Sequence, residues 1–371
     1  MKTHYLQPGP VYSDVYELPV DFVHHRQEEF SRLYSEVKGK LSSHYASDDC
    51  NSPHVALFMS SGTGAIQAVV DAGLQLAGVR ARRYGRFNEE RRFMIGVWVR
   101  GIFGQRFANF IRGKARLFHL PVEVVIVDEK LDDSPDYEAL GRAFEDCELI
   151  YAVDVETSTG KMMDLDRFRD MFSSKILVID GISSLGIVPR CVRDNEVWIG
   201  ASQKAFASLP GVAFVLAGNK AYKFLFEPIE ELAHEVYEVA LDLPVSYFDL
   251  KRHFDTESTI YTFSYHVLYT FNKAFDEVLR VGEENKLRAA HQVKELYSEH
   301  FNILPSEDSA PHVMLIELEE AEKVKAQLAE NGFKVASGQA KHKGRFIRVG
   351  LFNDYQVEAA REMLEVLKKL V

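Results

Sequence analysis

Seven short apolar runs spread between residues 54 and 217 constrain this chain more than any other feature. They are His54–Met59, Phe93–Val99, Val122–Val127, Leu149–Val153, Ile176–Ile179, Val197–Ile199 and Val212–Leu216. Each has the length of a strand, and most are rich in β-branched residues. Amphipathic segments such as Phe107–Arg112 and Tyr137–Phe144 lie between them. Strands that are apolar on both faces and joined by helical crossovers predict an α/β fold around a mostly parallel sheet. The texture changes after about residue 250. Thr262–Val281 and Glu284–His300 read as long helices, and Val313–Leu318, Glu320–Asn331, Phe346–Val349 and Tyr355–Leu370 as a compact α+β unit. The expected division is a large α/β domain over 16–250 and a small α+β domain over 1–15 and 251–371. The first 15 or so residues should lie near the interface of the two.

Composition narrows the function classes. With 44 basic and 55 acidic residues the formal net charge is −11, which opposes binding to nucleic acid or acidic lipid. No apolar run reaches the roughly 18 residues that span a bilayer. The segment Met1-Lys2-Thr3-His4-Tyr5 has no apolar signal core. A cytoplasmic enzyme with neither nucleic-acid nor membrane partners is expected. Cys50, Cys147 and Cys191 are far apart and form no Cys-x-x-Cys pair, and the 13 histidines show no ligand spacing. No metal site is expected. The segment Arg80–Arg92 is dense in positive charge and reads as a solvated face or as an interaction patch.

Three short elements carry candidate chemistry. Ser60-Ser61-Gly62-Thr63-Gly64 follows a strand and opens a helix, an arrangement that offers free amide donors to a phosphate but also suits a simple turn. Asp180 ends the run Leu177-Val178-Ile179-Asp180-Gly181, at the sheet edge where open α/β folds bind ligands. A carboxylate there needs a cation, and a pair ~4 Å apart at an effective dielectric of 20 is worth roughly 4 kcal/mol before desolvation. A turn or cap aspartate is the plain alternative. Lys204, in Ser202-Gln203-Lys204-Ala205, follows another strand 24 residues downstream. Alone it reads as a surface charge, but a buried lysine can form an imine with an aldehyde and later shuttle a proton. The order phosphate loop, aspartate, lysine is what pyridoxal 5'-phosphate requires.

The sequence resembles the class V aminotransferases of fold type I, the group of alanine–glyoxylate and serine–glyoxylate (serine–pyruvate) aminotransferases. The resemblance runs nearly the whole chain. It rests on Pro8-Gly9-Pro10-Val11, His25–Phe30, Ser61-Gly62-Thr63-Gly64-Ala65, Gly101-Ile102-Phe103-Gly104-Gln105-Arg106, Glu156-Thr157-Ser158-Thr159-Gly160, Asp180–Gly186 and Ser202-Gln203-Lys204-Ala205. It implies a seven-stranded large domain, Lys204 as the lysine bonded to the cofactor, and Asp180 as the partner of the pyridine nitrogen. It further implies that Phe103 stacks on the ring, that Thr157 bonds its phenolic oxygen, and that Ser61, Gly62, Thr63 and Gln203 form the phosphate cup. Thr259 and Thr262 would reach a neighbouring subunit's phosphate in a homodimer. Arg348 would clamp the substrate carboxylate, and the backbone of Gly9 would face the substrate. The implied reaction moves an amino group from alanine or serine to glyoxylate or pyruvate. Within the same resemblance stand 2-aminoethylphosphonate transamination, cysteine desulfuration and a non-catalytic cofactor-binding module. Two departures are evident: the family's usual prolines around Thr259–Ser264 are missing, and Arg80–Arg92 lengthens the connection between the phosphate loop and Gly101.

Overall fold

The structure, a computed structural model, describes residues 3–11, 23–83, 92–233, 250–339 and 342–371. In chain order the elements begin with β1 (His4–Tyr5), α1 (Glu28–His44), β2 (His54–Met59), α2 (Gly62–Arg83), β3 (Phe93–Val99), α3 (Ile102–Leu117), β4 (Val122–Asp128) and α4 (Tyr137–Ala143). They continue with β5 (Leu149–Val153), the hairpin β6 (Val155–Glu156) and β7 (Lys161–Met162), α5 (Leu165–Met171), β8 (Ile176–Asp180), β9 (Glu196–Ala201), β10 (Val212–Ala217), α6 (Asn219–Ala233) and α7 (Leu250–Asp255).

The seven expected runs form one sheet in the order β2-β10-β9-β8-β5-β3-β4. Only β10 runs against both of its neighbours, β2 and β9, while the other pairings are parallel. Successive strand residues point to opposite faces, and both faces are covered. Leu57, Trp98, Ile150, Leu177, Trp198 and Phe214 pack with α1 and α8 (Tyr265–Val281) on one side. Ala56, Val97, Tyr151, Val178, Ile199 and Ala213 pack with α2 and α3 on the other. A large apolar side chain buried this way contributes about 1.5–3 kcal/mol, which explains why the runs alternate in sequence so little.

The remaining elements are α9 (Glu283–Ser298), β11 (Ile303–Leu304), β12 (Val313–Glu317), α10 (Ala321–Glu330), β13 (Phe333–Lys334), β14 (Ala336–Ser337), β15 (Phe346–Gly350) and α11 (Asp354–Leu370). A four-stranded antiparallel sheet, β11-β12-β15-β14, is their centre. Ile347 and Val349 of β15 face the helices, packing with Tyr297, Leu328 and Met363. Period-two alternation therefore turns Arg348, between them, to the other face. There Phe346, Leu315 and Val313 meet Val155, Ile187 and Ala205 of the large sheet's loops.

The N-terminal strand β1 pairs in parallel with β13. The chain then crosses to the large sheet's loops, where the Val11 amide donates to the Gln203 carbonyl at 2.8 Å. The segment Arg80–Arg92 lies partly outside the described residues. Arg80, at its start, is an ion-pair partner of Glu148 and stacks on the Phe224 ring at 4.5 Å, so it belongs to the packed surface.

Candidate active site

The C-terminal ends of β2, β5, β8 and β9 converge on a cavity of about 90 Å³ lined by Gly62, Thr63, Phe103, Arg106, Asp180, Gln203 and Lys204, with Val153 and Val155 as apolar walls. Six of the expected residues are thus brought together by sheet order alone. At the entry of α2, Ser61 caps the helix: its Oγ accepts from the Gly64 amide at 3.3 Å. Ser61 itself is exposed and does not line the cavity. Gly62 packs closely on Ile182: a Cβ there would stand 2.5 Å from its Cδ1 and displace that side chain.

Asp180 is buried at the end of β8, and its Oδ1 accepts one amide bond, from Ile182 at 2.9 Å. Burial pushes its carboxyl up to about 7, with the Glu156 charge adding to the rise and Lys204 and Arg106 opposing it. Lys204 donates to the carbonyl of Pro8. Burial, then the Arg348 charge, bring its ammonium down to about 8, while Asp180 and Glu156 pull the other way. Arg348 donates through Nε to the Ser337 carbonyl at 2.8 Å and through Nη1 to the Thr157 carbonyl at 2.9 Å. Its Nη2 bonds to no described residue, and burial lowers its guanidinium to about 10.

Two side chains with no role assigned from the sequence complete the site. Glu156 is fully buried, yet it accepts the amides of Phe103 at 3.0 Å and Gly104 at 3.1 Å, together with the Ser158 amide and hydroxyl. It thereby satisfies orphan donors at the start of α3 and sets the angle of Phe103. Gly101 permits this: a Cβ there would lie 2.6 Å from Glu156 Cδ and 2.4 Å from Ser158 Oγ. Arg106, one turn beyond Phe103, donates to Thr63 Oγ1 at 2.9 Å and lies 5.0 Å from the Phe103 ring centroid. It puts a cation at the glycine loop. The i, i+3 spacing from Phe103 was the signal available for it.

Other expected residues lie apart. Thr259 is buried, but its hydroxyl donates to the Tyr261 carbonyl at 2.7 Å and its own carbonyl accepts from Arg26 at 2.9 Å. Thr262 is exposed. Neither lines this cavity. A side chain at Gly9 would meet open space, while its neighbour Pro8 touches Lys204. Cys50 and Cys147 are buried and Cys191 is half-buried, and none lines the cavity. Among the described residues no group of His, Cys, Asp and Glu could hold a metal ion, and no helix is long and apolar enough to cross a membrane.

The residues fit pyridoxal phosphate on their own geometry. Gln203 Oε1 in the cavity lining, and Thr157 Oγ1 on the residue whose carbonyl holds Arg348, are buried and have no hydrogen-bond partner among the described residues. The Thr157 hydroxyl can donate to an oxygen of a bound group, and the Gln203 side-chain amide offers it one donor and one acceptor face. With the glycine-rich helix start, Arg106, the buried Asp180 carboxyl and the amine of Lys204, they match a phosphate, a pyridine ring and an aldehyde.

The chain has the fold of the fold type I pyridoxal-phosphate transferases, around a seven-stranded, mostly parallel sheet. More particularly, it is similar to the ureidoglycine–glyoxylate aminotransferase of Bacillus subtilis, at TM-score 0.75 and 16% identity over 99% of this chain and 93% of that one. It is similar also to the alanine–glyoxylate aminotransferase of Nostoc, at TM-score 0.75 and 18% identity over 100% and 95%. A third likeness is to the subgroup IV aspartate aminotransferase of Thermus thermophilus, at TM-score 0.74 and 21% identity over 99% and 100%. Among sequences, an uncharacterized aminotransferase of Methanocaldococcus jannaschii is 24% identical over 282 residues, 73% of this chain and 63% of that protein. One of Helicobacter pylori is 24% identical over 369 residues, 92% of this chain and 87% of its own length. No family model matches the chain.

Proposed function

We propose that this protein is a pyridoxal-phosphate-dependent aminotransferase that takes its amino group from a small amino acid, alanine or serine, and delivers it to a 2-oxo acid such as glyoxylate or pyruvate. The observation that carries the reading is one cavity at the strand ends holding a lysine of lowered proton affinity and a buried aspartate of raised proton affinity. Burial that brings a carboxyl up and an ammonium down toward neutral pH in one cavity is the pattern of a site where protons are held and moved. The named donors and acceptors rest on the resemblance, and alanine and glyoxylate also on the structural likeness to the alanine–glyoxylate and ureidoglycine–glyoxylate aminotransferases. A cytoplasmic homodimer belongs to the same reading, with Thr259 and Thr262 turned to the partner's site. So does the division into a domain over 16–250 and another over 1–15 and 251–371.

Pyridoxal phosphate, when bound, supplies an electrophilic aldehyde carbon and a ring that takes up the electron pair left on a substrate α-carbon. The chain's residues do the rest. Gly62, Thr63 and Gln203 would hold the phosphate at the start of α2, with Arg106 beside them, while Ser61, assigned to the same cup, contributes through its cap of the helix start. Phe103, its amide held by Glu156, would cover one ring face, and the Thr157 hydroxyl would donate to the phenolic oxygen. Asp180 holds the proton on the pyridine nitrogen. Lys204 would hold the cofactor through Nζ and, as a free amine, would be the base that takes the proton from the donor α-carbon and gives it up again within the same cavity. Proton transfer by a positioned base contributes about 10² to 10⁴ in rate. Arg348 receives the donor carboxylate, its guanidinium held in place by the Thr157 and Ser337 carbonyls. The backbone at Gly9 borders the donor. The expected kinetics are ping-pong.

Two outcomes test the assignments. Arg348→Ala should raise the donor KM by roughly 30-fold or more, as expected for loss of a charged partner worth about 2–5 kcal/mol, while cofactor absorbance is retained. An unchanged donor KM removes Arg348 from this role. Cofactor capture should also depend on pH. With its ammonium near 8, about one Lys204 amine in ten is neutral at pH 7, against roughly one in three thousand for an ordinary lysine. The second-order rate of capture should therefore climb as pH rises toward 8 and level off above it. A rate still climbing tenfold per unit between pH 9 and 10 contradicts the lowered affinity.

A further inference from the structure

At the start of α9, away from the cavity, Glu283 and Lys286 stand one turn apart and both are buried. Lys286 Nζ donates to the carbonyls of Gly186 at 2.6 Å and Ala205 at 2.7 Å. Glu283 Oε1 accepts the Gly186 amide at 2.9 Å and the Tyr45 hydroxyl at 3.2 Å. Gly186 closes the loop that Asp180 opens, and Ala205 follows Lys204 in the chain. One ammonium therefore ties together the main chains that carry the two groups of opposed proton affinity. Burial draws Lys286 down only to about 8, with Glu283 supporting the charge, so at neutral pH it stays a cationic donor.

We propose that Lys286 is a positioning residue for the reaction: through the Gly186 and Ala205 carbonyls it fixes the backbone of Lys204 relative to that of Asp180. The inference rests on the role given to Lys204 above. Its physical basis is that proton transfer needs donor and acceptor within hydrogen-bond reach, and a displacement on the order of 1 Å costs heavily in rate.

A matched control exists on the same helix. Lys294 is also buried and donates to Ser309 Oγ at 2.6 Å and to the Ala310 carbonyl at 2.6 Å, but to nothing on the Lys204 or Asp180 loops. Lys286→Met and Lys294→Met should lower the melting temperature comparably. Only Lys286→Met should cut the maximal half-reaction rate, by about tenfold or more as for loss of a charge-assisted hydrogen bond, with the donor KM little changed. It should also speed dissociation of pyridoxal phosphate, followed by loss of visible absorbance. Lys286→Arg, which keeps the cation and its donors, should recover part of both. If Lys286→Met does not fold, Lys286→Gln against Lys294→Gln carries the same comparison. Equal rates and equal cofactor dissociation in the Lys286 and Lys294 variants overturn the proposal. Failure of the unaltered protein to take up pyridoxal phosphate overturns instead the reading on which it rests.

Discussion

Lys204→Ala should bind pyridoxal phosphate without the visible absorbance of the lysine-bound form, and its transamination rate should fall by at least 10² to 10⁴. That range is the contribution of a positioned proton-transfer group, and the loss of covalent retention adds to it. The geometry makes the effect specific. The described cavity is lined by one amine, Lys204, together with the guanidinium of Arg106, which cannot serve as a nucleophile at neutral pH. Alanine also leaves the Pro8 carbonyl without its donor, so the N-terminal crossing should loosen slightly. Added methylamine should restore part of the rate by supplying the missing base. A variant with undiminished absorbance would place the reactive amine elsewhere.

Asp180→Asn should be the next most damaging change. Asparagine keeps the shape and can still accept from the Ile182 amide, so the fold should hold. The lost quantity is charge. Without a bound cation, burial raises the Asp180 carboxyl to about 7; a ring nitrogen that binds as a cation draws it back to the ionised form. The attraction is worth roughly 4 kcal/mol at an effective dielectric of 20 before desolvation, and the desolvation already evident in the raised carboxyl offsets part of it. A decrease of about 10² to 10³ in kcat is therefore expected, with the visible band retained. A decrease below about threefold would show that the pyridine proton is held by something else.

Much of this was legible in the sequence because burial on both faces of a sheet leaves a strong mark. The strands His54–Met59, Phe93–Val99 and Leu149–Val153 begin and end where the apolar runs do. The reversed direction of β10 left no such mark, since an apolar run reads the same both ways. Helix α1 was missed because it precedes the strand–helix alternation, although Phe30, Leu33, Tyr34, Val37 and Leu41 keep the helical period. The order Gly62, Asp180, Lys204 was readable because each residue follows a strand, and parallel strands bring those ends to one edge. Arg106 and Glu156 were not assigned because their partners lie 43 and 53 residues away along the chain. Lys286 had even less chance, for a lysine in a polar helix reads as solvated until the packing shows its two carbonyls. The reach of Thr259 and Thr262 concerns a second copy, which one chain does not display.

The central claim is that Lys204 carries pyridoxal phosphate and surrenders it to an amino donor. The most direct measurement is borohydride reduction of the cofactor-loaded protein followed by peptide mapping, performed before and after addition of alanine. One modified peptide is expected, containing Lys204, and its label should disappear together with the visible absorbance when the donor is added first. Absence of the band, or a label on a peptide without Lys204, would contradict it.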